Sequence, residues 1–454
     1  MQTLYLKNMA SRREMVKKSV IGSASLALGG ILPGFSAQSY RRILGSNEKI
    51  RLSVIGVNSR GYALSQNFSK LPACEVLHIC DVDSRAIEKC RTNIEKITGQ
   101  KPVGFKDFRL SLESKTIDAV AIATPDHWHA PAAMLAMKAG KHVYLEKPCS
   151  YAPAEGEMLV KGAEKYKSIL QMGNQRRSWP NVARGIAELG EGVIGRVYFA
   201  KGWYANNRAS IGVGKEAPVP GWLDWDLWQG PAKRKPFKDN YLHYNWHWFW
   251  HWGTGEALNN GTHMVDLMRW GLGAGFPTKV NSTGGRYRFN DDWQTPDTQV
   301  ISMEFNNNTA LTWEGRSCNP HHIEGTSVGV VFYGEKGTMV LQGGNDYTIV
   351  GLDNKIIKAV KSDIEVNSTN LMNPAEKLDA LHLQNFFDGI TKGEELHSGI
   401  ADGHNSTLLV QLGNISQRVG HTLNIDPRNG HILNEPKAMQ YWARDYEKGW
   451  EMTL

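Results

Sequence analysis

Lys49-Ile50-Arg51-Leu52-Ser53-Val54-Ile55-Gly56-Val57-Asn58-Ser59-Arg60-Gly61 is the stretch that decides the fold. Residues 49–57 form a β-branched, nearly continuous apolar run, the pattern of a strand buried on both faces of a parallel sheet. The run ends near Gly56, and a helix is expected over 60–69, so Gly56 to Gly61 is a glycine-bearing turn between the two. Backbone N–H groups at such a helix start can hold a pyrophosphate. Gly56, Asn58, Ser59, Arg60 and Gly61 are therefore candidate cofactor contacts, although Asn58 stands where the G-x-G-x-x-G pattern has its middle glycine. Small polar residues tolerate tight turns. Asp81, 25 residues beyond Gly56, ends a second expected strand (76–80) and can accept the ribose hydroxyls of a dinucleotide. A carboxylate there repels a 2′-phosphate, so NAD is expected rather than NADP.

The alternation continues with helices over 84–97 and 131–139 and strands over 119–123 and 142–145. Strands alternating with helices predict a doubly wound parallel sheet, here a Rossmann domain over 48–170. Beyond residue 170 Trp, Gly and Asn become more frequent, connections lengthen, and strands are expected over 299–305, 309–313 and 327–333. The expected fold class is α/β: the N-terminal Rossmann domain plus a C-terminal α+β domain (171–454) with an open, mainly antiparallel sheet. Helices over 375–391 and 403–419 are expected to pack back on the first domain.

Thr124-Pro125-Asp126-His127-Trp128-His129 follows the third of these strands and Glu146-Lys147-Pro148 the fourth. Both lie at carboxyl ends of parallel strands, where ligands bind in such sheets. With these motifs the chain, over roughly residues 48–450, resembles the glucose-fructose oxidoreductase / inositol dehydrogenase family. The resemblance implies a sheet of the second domain covering the nicotinamide, and a lysine of the tripeptide, Lys147, that contacts substrate hydroxyl and cofactor. Thr124, Pro125, His127, Trp128, His129, Glu146, Lys147 and Asn174 are the cofactor-facing positions it suggests. An ammonium desolvated at such a site would have a lowered pKa and could share protons at neutral pH.

Residues 255–266 (GEALNNGTHMVD) resemble the family's Asp-x-x-x-His-x-x-Asp helix, with His263 on the histidine and Asn259 where the aspartate is usual. At i, i+4, i+7 spacing, Asn259, His263 and Asp266 would share one helix face, His263 taking a hydroxyl proton and Asp266 orienting it. Asn cannot ionise, so a charge that would stabilise protonated His263 is missing. Asn174, Gln175, Arg176 and Arg177 open the second domain; Arg177 suits either a hydroxyl-rich or acidic substrate or an interface carboxylate. Trp246 and Trp248, in the tract 245–252 (NWHWFWHW), can stack on pyranose faces or fill the core.

The net charge of +7 is no case for nucleic acid, because Lys7, Arg12, Arg13, Lys17 and Lys18 against Glu14 put +4 of it in residues 1–37 and leave +3. Those residues have a twin-arginine export layout: Ser11-Arg12-Arg13-Glu14-Met15-Val16-Lys17-Lys18, then an uncharged run over 19–32 and small residues around Ser36-Ala37. The run is too short and Gly-rich for a membrane span of about 20 residues, so export to the periplasm with no lasting membrane insertion is expected, followed by a linker over 38–47. That route carries folded proteins, which favours a cofactor already bound and recycled in place. The five cysteines lack CxxC or Cys/His metal spacing, and no metal is expected. The expected activity is an exported NAD-dependent oxidoreductase of a sugar, glycoside or polyol. The alternatives are an NAD-dependent glycosidase working through transient C3 oxidation, elimination, hydration and re-reduction, and a non-catalytic dinucleotide-dependent sugar-binding protein. The resemblance further implies a homo-oligomer.

Overall fold

The computed structural model describes residues 49–364 and 375–454; the stretches expected to be an export leader (1–37) and a linker (38–47) lie outside the described residues. The first domain runs β1 (Ile50–Ile55), α1 (Arg60–Lys70), β2 (Cys74–Cys80), α2 (Ser84–Thr98), β3 (Val103–Phe105), α3 (Phe108–Leu112), β4 (Ala119–Ile122), α4 (Asp126–Lys138), β5 (His142–Leu145), α5 (Pro153–Tyr166) and β6 (Leu170–Met172). The six strands are parallel, in the order β3-β2-β1-β4-β5-β6. The order reverses between β1 and β4, and a crevice opens at their carboxyl ends. Leu52, Val54, Ala119, Val120, Ala121 and Ile122 are all fully buried, because helices cover both faces of the sheet. The boundary placed at residue 170 falls on the first residue of β6, whose strand belongs to this sheet.

Helix α4 begins at Asp126, five residues before the expected start, and runs through Pro131. Proline has no N–H for the carbonyl one turn back; that carbonyl, on His127, accepts from the Arg444 guanidinium instead. A residue more than 300 positions away therefore satisfies the bond that the sequence pattern made a reason to start the helix later.

The second domain runs α6 (Pro180–Gly190), β7 (Val197–Ala205), α7 (Trp225–Gln229), α8 (Thr262–Gly271), β8 (Lys279–Gly285), β9 (Thr298–Glu304), β10 (Ala310–Arg316), β11 (Val328–Gly334), β12 (Gly337–Leu341), β13 (Tyr347–Gly351), β14 (Ile356–Val360), α9 (Glu376–Thr391), α10 (Ile400–Val419) and β15 (Leu423–Asn424). Its nine strands form one sheet, β14-β13-β12-β11-β7-β10-β9-β8-β15, in which β7 and β10 alone pair in parallel. Met264, Val265 and Met268 of α8 bury against the sheet with Leu311, Trp313, Val330 and Phe332, so one end of α8 is fixed where the two domains meet. Helix α9 packs on α1 of the first domain through Phe387 against Phe68, with ring centroids 5.6 Å apart, and through Asp379 against Arg60 at 3.1 Å.

Candidate active site

A cleft of about 650 Å³ runs from the Gly56 turn to His263, lined by both domains. At one end Gly56 has φ +81°, and a Cβ there would lie 2.8 Å from the backbone of Ala123 and Thr124. Gly61 packs so closely on the Gly56 carbonyl that a Cβ would approach it to 1.8 Å; its part is closing the turn, and it does not line the cleft. Asn58, the exposed middle residue, has no left-handed φ and faces the cleft, which is why a side chain is accommodated. Asp81 accepts from the Val57 N–H at 2.7 Å and the Asp83 N–H at 2.9 Å, and burial pushes its pKa up. Arg60 is anchored by Glu146 at 2.8 Å as well as by Asp379.

At the other end Lys147 Nζ donates to the Asn259 carbonyl at 2.6 Å and to Asn259 Oδ1 at 3.3 Å. Residues 257–261 form a π turn ahead of α8, a widened turn that commonly marks functional sites, and it turns the Asn259 carbonyl toward Lys147. Burial lowers the Lys147 pKa against the pull of Glu146 and Asp126. Burial, then Arg176 and Lys147, hold His263 well below the usual imidazole value, so its ring is neutral; its Nδ1 is buried without a partner.

Thr124, Pro125, Trp128, His129, Glu146, Lys147, Asn259, His263 and Trp246 all line the cleft. Three of the sequence-based assignments (Asp266, His127 and Asn174) need correction, and two that the sequence left open (Arg177 and Trp248) fall on the ion-pairing and packing side. Asp266 does not orient His263: it forms a buried pair with Arg177, with contacts of 2.8 Å, and accepts from Ser406 at 2.6 Å. Arg177, bound also by Asp402, is therefore committed to carboxylates and does not face substrate. The π turn breaks the even spacing that put 259, 263 and 266 on one face. Trp248 is buried and stacks on Trp293 at 3.9 Å, a packing contact. His127 turns away from the cleft to the Trp228 carbonyl, 3.1 Å from its Nε2. Asn174 is buried outside the lining, where its neighbour Gln175 stands instead.

Four contributors were not singled out from the sequence. Asp126, buried, accepts from Thr254 Oγ1 at the foot of the cleft. Tyr244 and His247 form its rim beside Trp246, whose ring stacks on His247 at 3.6 Å. Glu256 lies behind Asn259, joined to Arg208 at 2.6 Å. The quoted motifs contain Asp126, His247 and Glu256, but nothing in their spacing separates them from structural neighbours.

A sequence profile described as an oxidoreductase family with an NAD-binding Rossmann fold matches residues 50–174, and that of the same family's C-terminal alpha/beta domain matches 223–425. The chain belongs to this oxidoreductase family. Its cofactor is NAD, and the cleft fits it: a glycine turn that a Cβ would fill, the Asp81 carboxylate, and a buried, unpartnered Thr124 Oγ1 along the lining. Curated proteins similar to this chain include a "Glycosyl hydrolase family 109 protein" of Saccharopolyspora erythraea, 29% identical over 215 residues, covering 44% of this chain and 47% of that protein. Another, "Glycosyl hydrolase family 109 protein 2" of a Shewanella species (strain ANA-3), is 24% identical over 337 residues, or 68% of each chain. The chain thus spans about half the length of the first relative and two thirds of the second. Among solved structures, levoglucosan dehydrogenase in complex with NADH has a TM-score of 0.64 at 17% identity, covering 84% of this chain and all of that one, which shows the shared fold.

Proposed function

We propose that this protein is an exported NAD-dependent oxidoreductase acting on a hydroxyl of a sugar, glycoside or polyol, with its cofactor retained through turnover. The observation that carries the reading is the convergence of desolvated Lys147 and neutral His263 on a cleft whose far end carries the dinucleotide turn. Bound NAD supplies the hydride acceptor. Lys147 holds the reacting hydroxyl oxygen by its ammonium, and His263 accepts the hydroxyl proton as the carbon loses its hydride, leaving a carbonyl. The Tyr244, Trp246 and His247 rim offers aromatic faces to the C–H side of a pyranose. Export rests on the twin-arginine layout of residues 11–18, and a homo-oligomer accords with the family resemblance.

The second reading, an NAD-dependent glycosidase, is favoured by the names of the curated relatives. It would use the same oxidation, followed by elimination, hydration and reduction, with no net redox change. Incubating the purified protein with p-nitrophenyl glycosides separates the two. The oxidoreductase reading expects oxidised sugar or enzyme-bound NADH without phenol; catalytic release of nitrophenol with no NADH accumulating would replace it by the glycosidase reading.

A further inference from the structure

We infer that Glu256 is the positioning carboxylate of this site, acting on Lys147 through the side chain of Asn259. The inference rests on the reading of Lys147 as the residue that holds the reacting hydroxyl.

Asn259 presents Oδ1 to the Lys147 ammonium at 3.3 Å. Rotating the carboxamide by half a turn would set its NH₂ against the ammonium, donor facing donor. The present orientation leaves two N–H groups, one directed at Glu256 Oε1 at 3.2 Å and one at Tyr244 Oη at 3.3 Å. A tyrosine hydroxyl both donates and accepts and so does not discriminate between the two orientations; an ionised carboxylate only accepts, and it does. Glu256 is held for this purpose: it is 3% exposed, joined to Arg208 at 2.6 Å, and accepts from Ser317 Oγ at 3.2 Å and from Asn260 Nδ2. Glu256 ends the α turn just before the π turn, so Asn259, three residues on, reaches both it and Lys147. The carboxylate also adds to the charges that favour protonated Lys147. A site with an amide at position 259 thereby keeps a negative charge, displaced by one residue in the relay and reaching the lysine through an oriented dipole.

The test is the titration of Lys147 in the NAD-loaded protein, labelled with ¹⁵N-lysine and assigned with Lys147→Arg, in wild type, Glu256→Gln, Asn259→Asp and the double variant. Removing the carboxylate is expected to lower the Lys147 midpoint by about one unit, and Glu256→Gln/Asn259→Asp to restore it by moving the charge into direct contact. An unchanged midpoint in Glu256→Gln, or no recovery in the double variant, overturns the inference and leaves Glu256 as the counter-ion of Arg208. Should Glu256→Gln not fold, Asn259→Asp decides. Two carboxyls facing each other are expected to titrate above the ordinary carboxylate range and to lower the unfolding midpoint, and wild-type behaviour in both would refute the assignment. None of these readouts needs a substrate, so the inference fails separately from the sugar reading.

Discussion

At the scale of single residues, the turn and the lysine carry the account. Gly56→Ala imposes a left-handed φ on a side chain, at about 1–2 kcal/mol, and drives its Cβ into the Ala123–Thr124 backbone. Loss of NAD affinity by tenfold or more is expected in calorimetric titration. Lys147→Met should leave NAD bound and reduce single-turnover oxidation at least a hundredfold; a smaller loss would move the hydroxyl contact elsewhere. Asp266→Asn breaks a buried ion pair and is expected to cost roughly 3 kcal/mol in urea unfolding, whereas a changed KM with unaltered stability would return Arg177 to the substrate. The Gly56–Gly61 turn, Asp81 and the position of Lys147 were legible in the sequence because each sits at the end of an expected strand, whereas His263 and the part given to Lys147 came from the resemblance to a family motif. The Arg177–Asp266 pair was not, since it joins positions 89 apart, and a π turn has no pattern that distinguishes it from an α turn.

At the scale of elements, the segment from Trp222 to Trp252 reaches well beyond the tryptophan-rich tract 245–252 that stood out in the sequence. It folds as a strap across the first domain. The Trp222 carbonyl accepts the Ser84 N–H at 3.0 Å, the Asp224 N–H reaches the Val82 carbonyl at 3.1 Å, and Arg85 stacks on the Trp222 ring at 3.4 Å. His243 bonds Asp83 at 2.9 Å, and Trp128 Nε1 bonds the Trp228 carbonyl at 2.8 Å. Leu227, Trp228, His243, Tyr244 and Trp246 of the strap line the same cleft as Asp81, so these contacts are expected to slow release of the dinucleotide. The pair Trp222→Ala/His243→Ala should exchange bound NAD for isotope-labelled NAD at least tenfold faster than wild type; equal rates would show that the strap does not retain it. Strands β1, β2, β4, β5, β9, β10 and β11 and helices α1, α2, α4, α9 and α10 were readable from periodicity, whereas β7, β8, β12, β13 and β14 and helices α5 and α6 were not named from it. The short elements β3, α3 and β6, with three to five residues each, were not, because so few positions carry no period.

At the scale of the whole molecule, joining two domains buries histidines as neutral groups. Burial lowers the pKa of His382 and of His404 to about 4, and that of His127 and His263 in the same direction. Lowered folded values mean that the unfolded chain binds these protons first. Their contribution is therefore intact above the ordinary histidine pKa of about 6.5 and is lost as pH falls from there toward 4, at up to about 1.4 kcal/mol per pH unit for each histidine. Urea midpoints measured between pH 7 and 4.5 should fall steadily, and a flat profile would contradict neutral burial. The central claim, that one cleft holds NAD and removes hydride from a sugar hydroxyl, is tested most directly on the protein as purified, with no cofactor added. Heat-released ligand is identified by mass spectrometry, and the near-ultraviolet absorbance of bound NADH is followed as a panel of free sugars and glycosides is added. The account predicts NAD as the released ligand and a sugar-dependent absorbance rise that Lys147→Met abolishes. Release of NADP, or a rise that persists without Lys147, would contradict it.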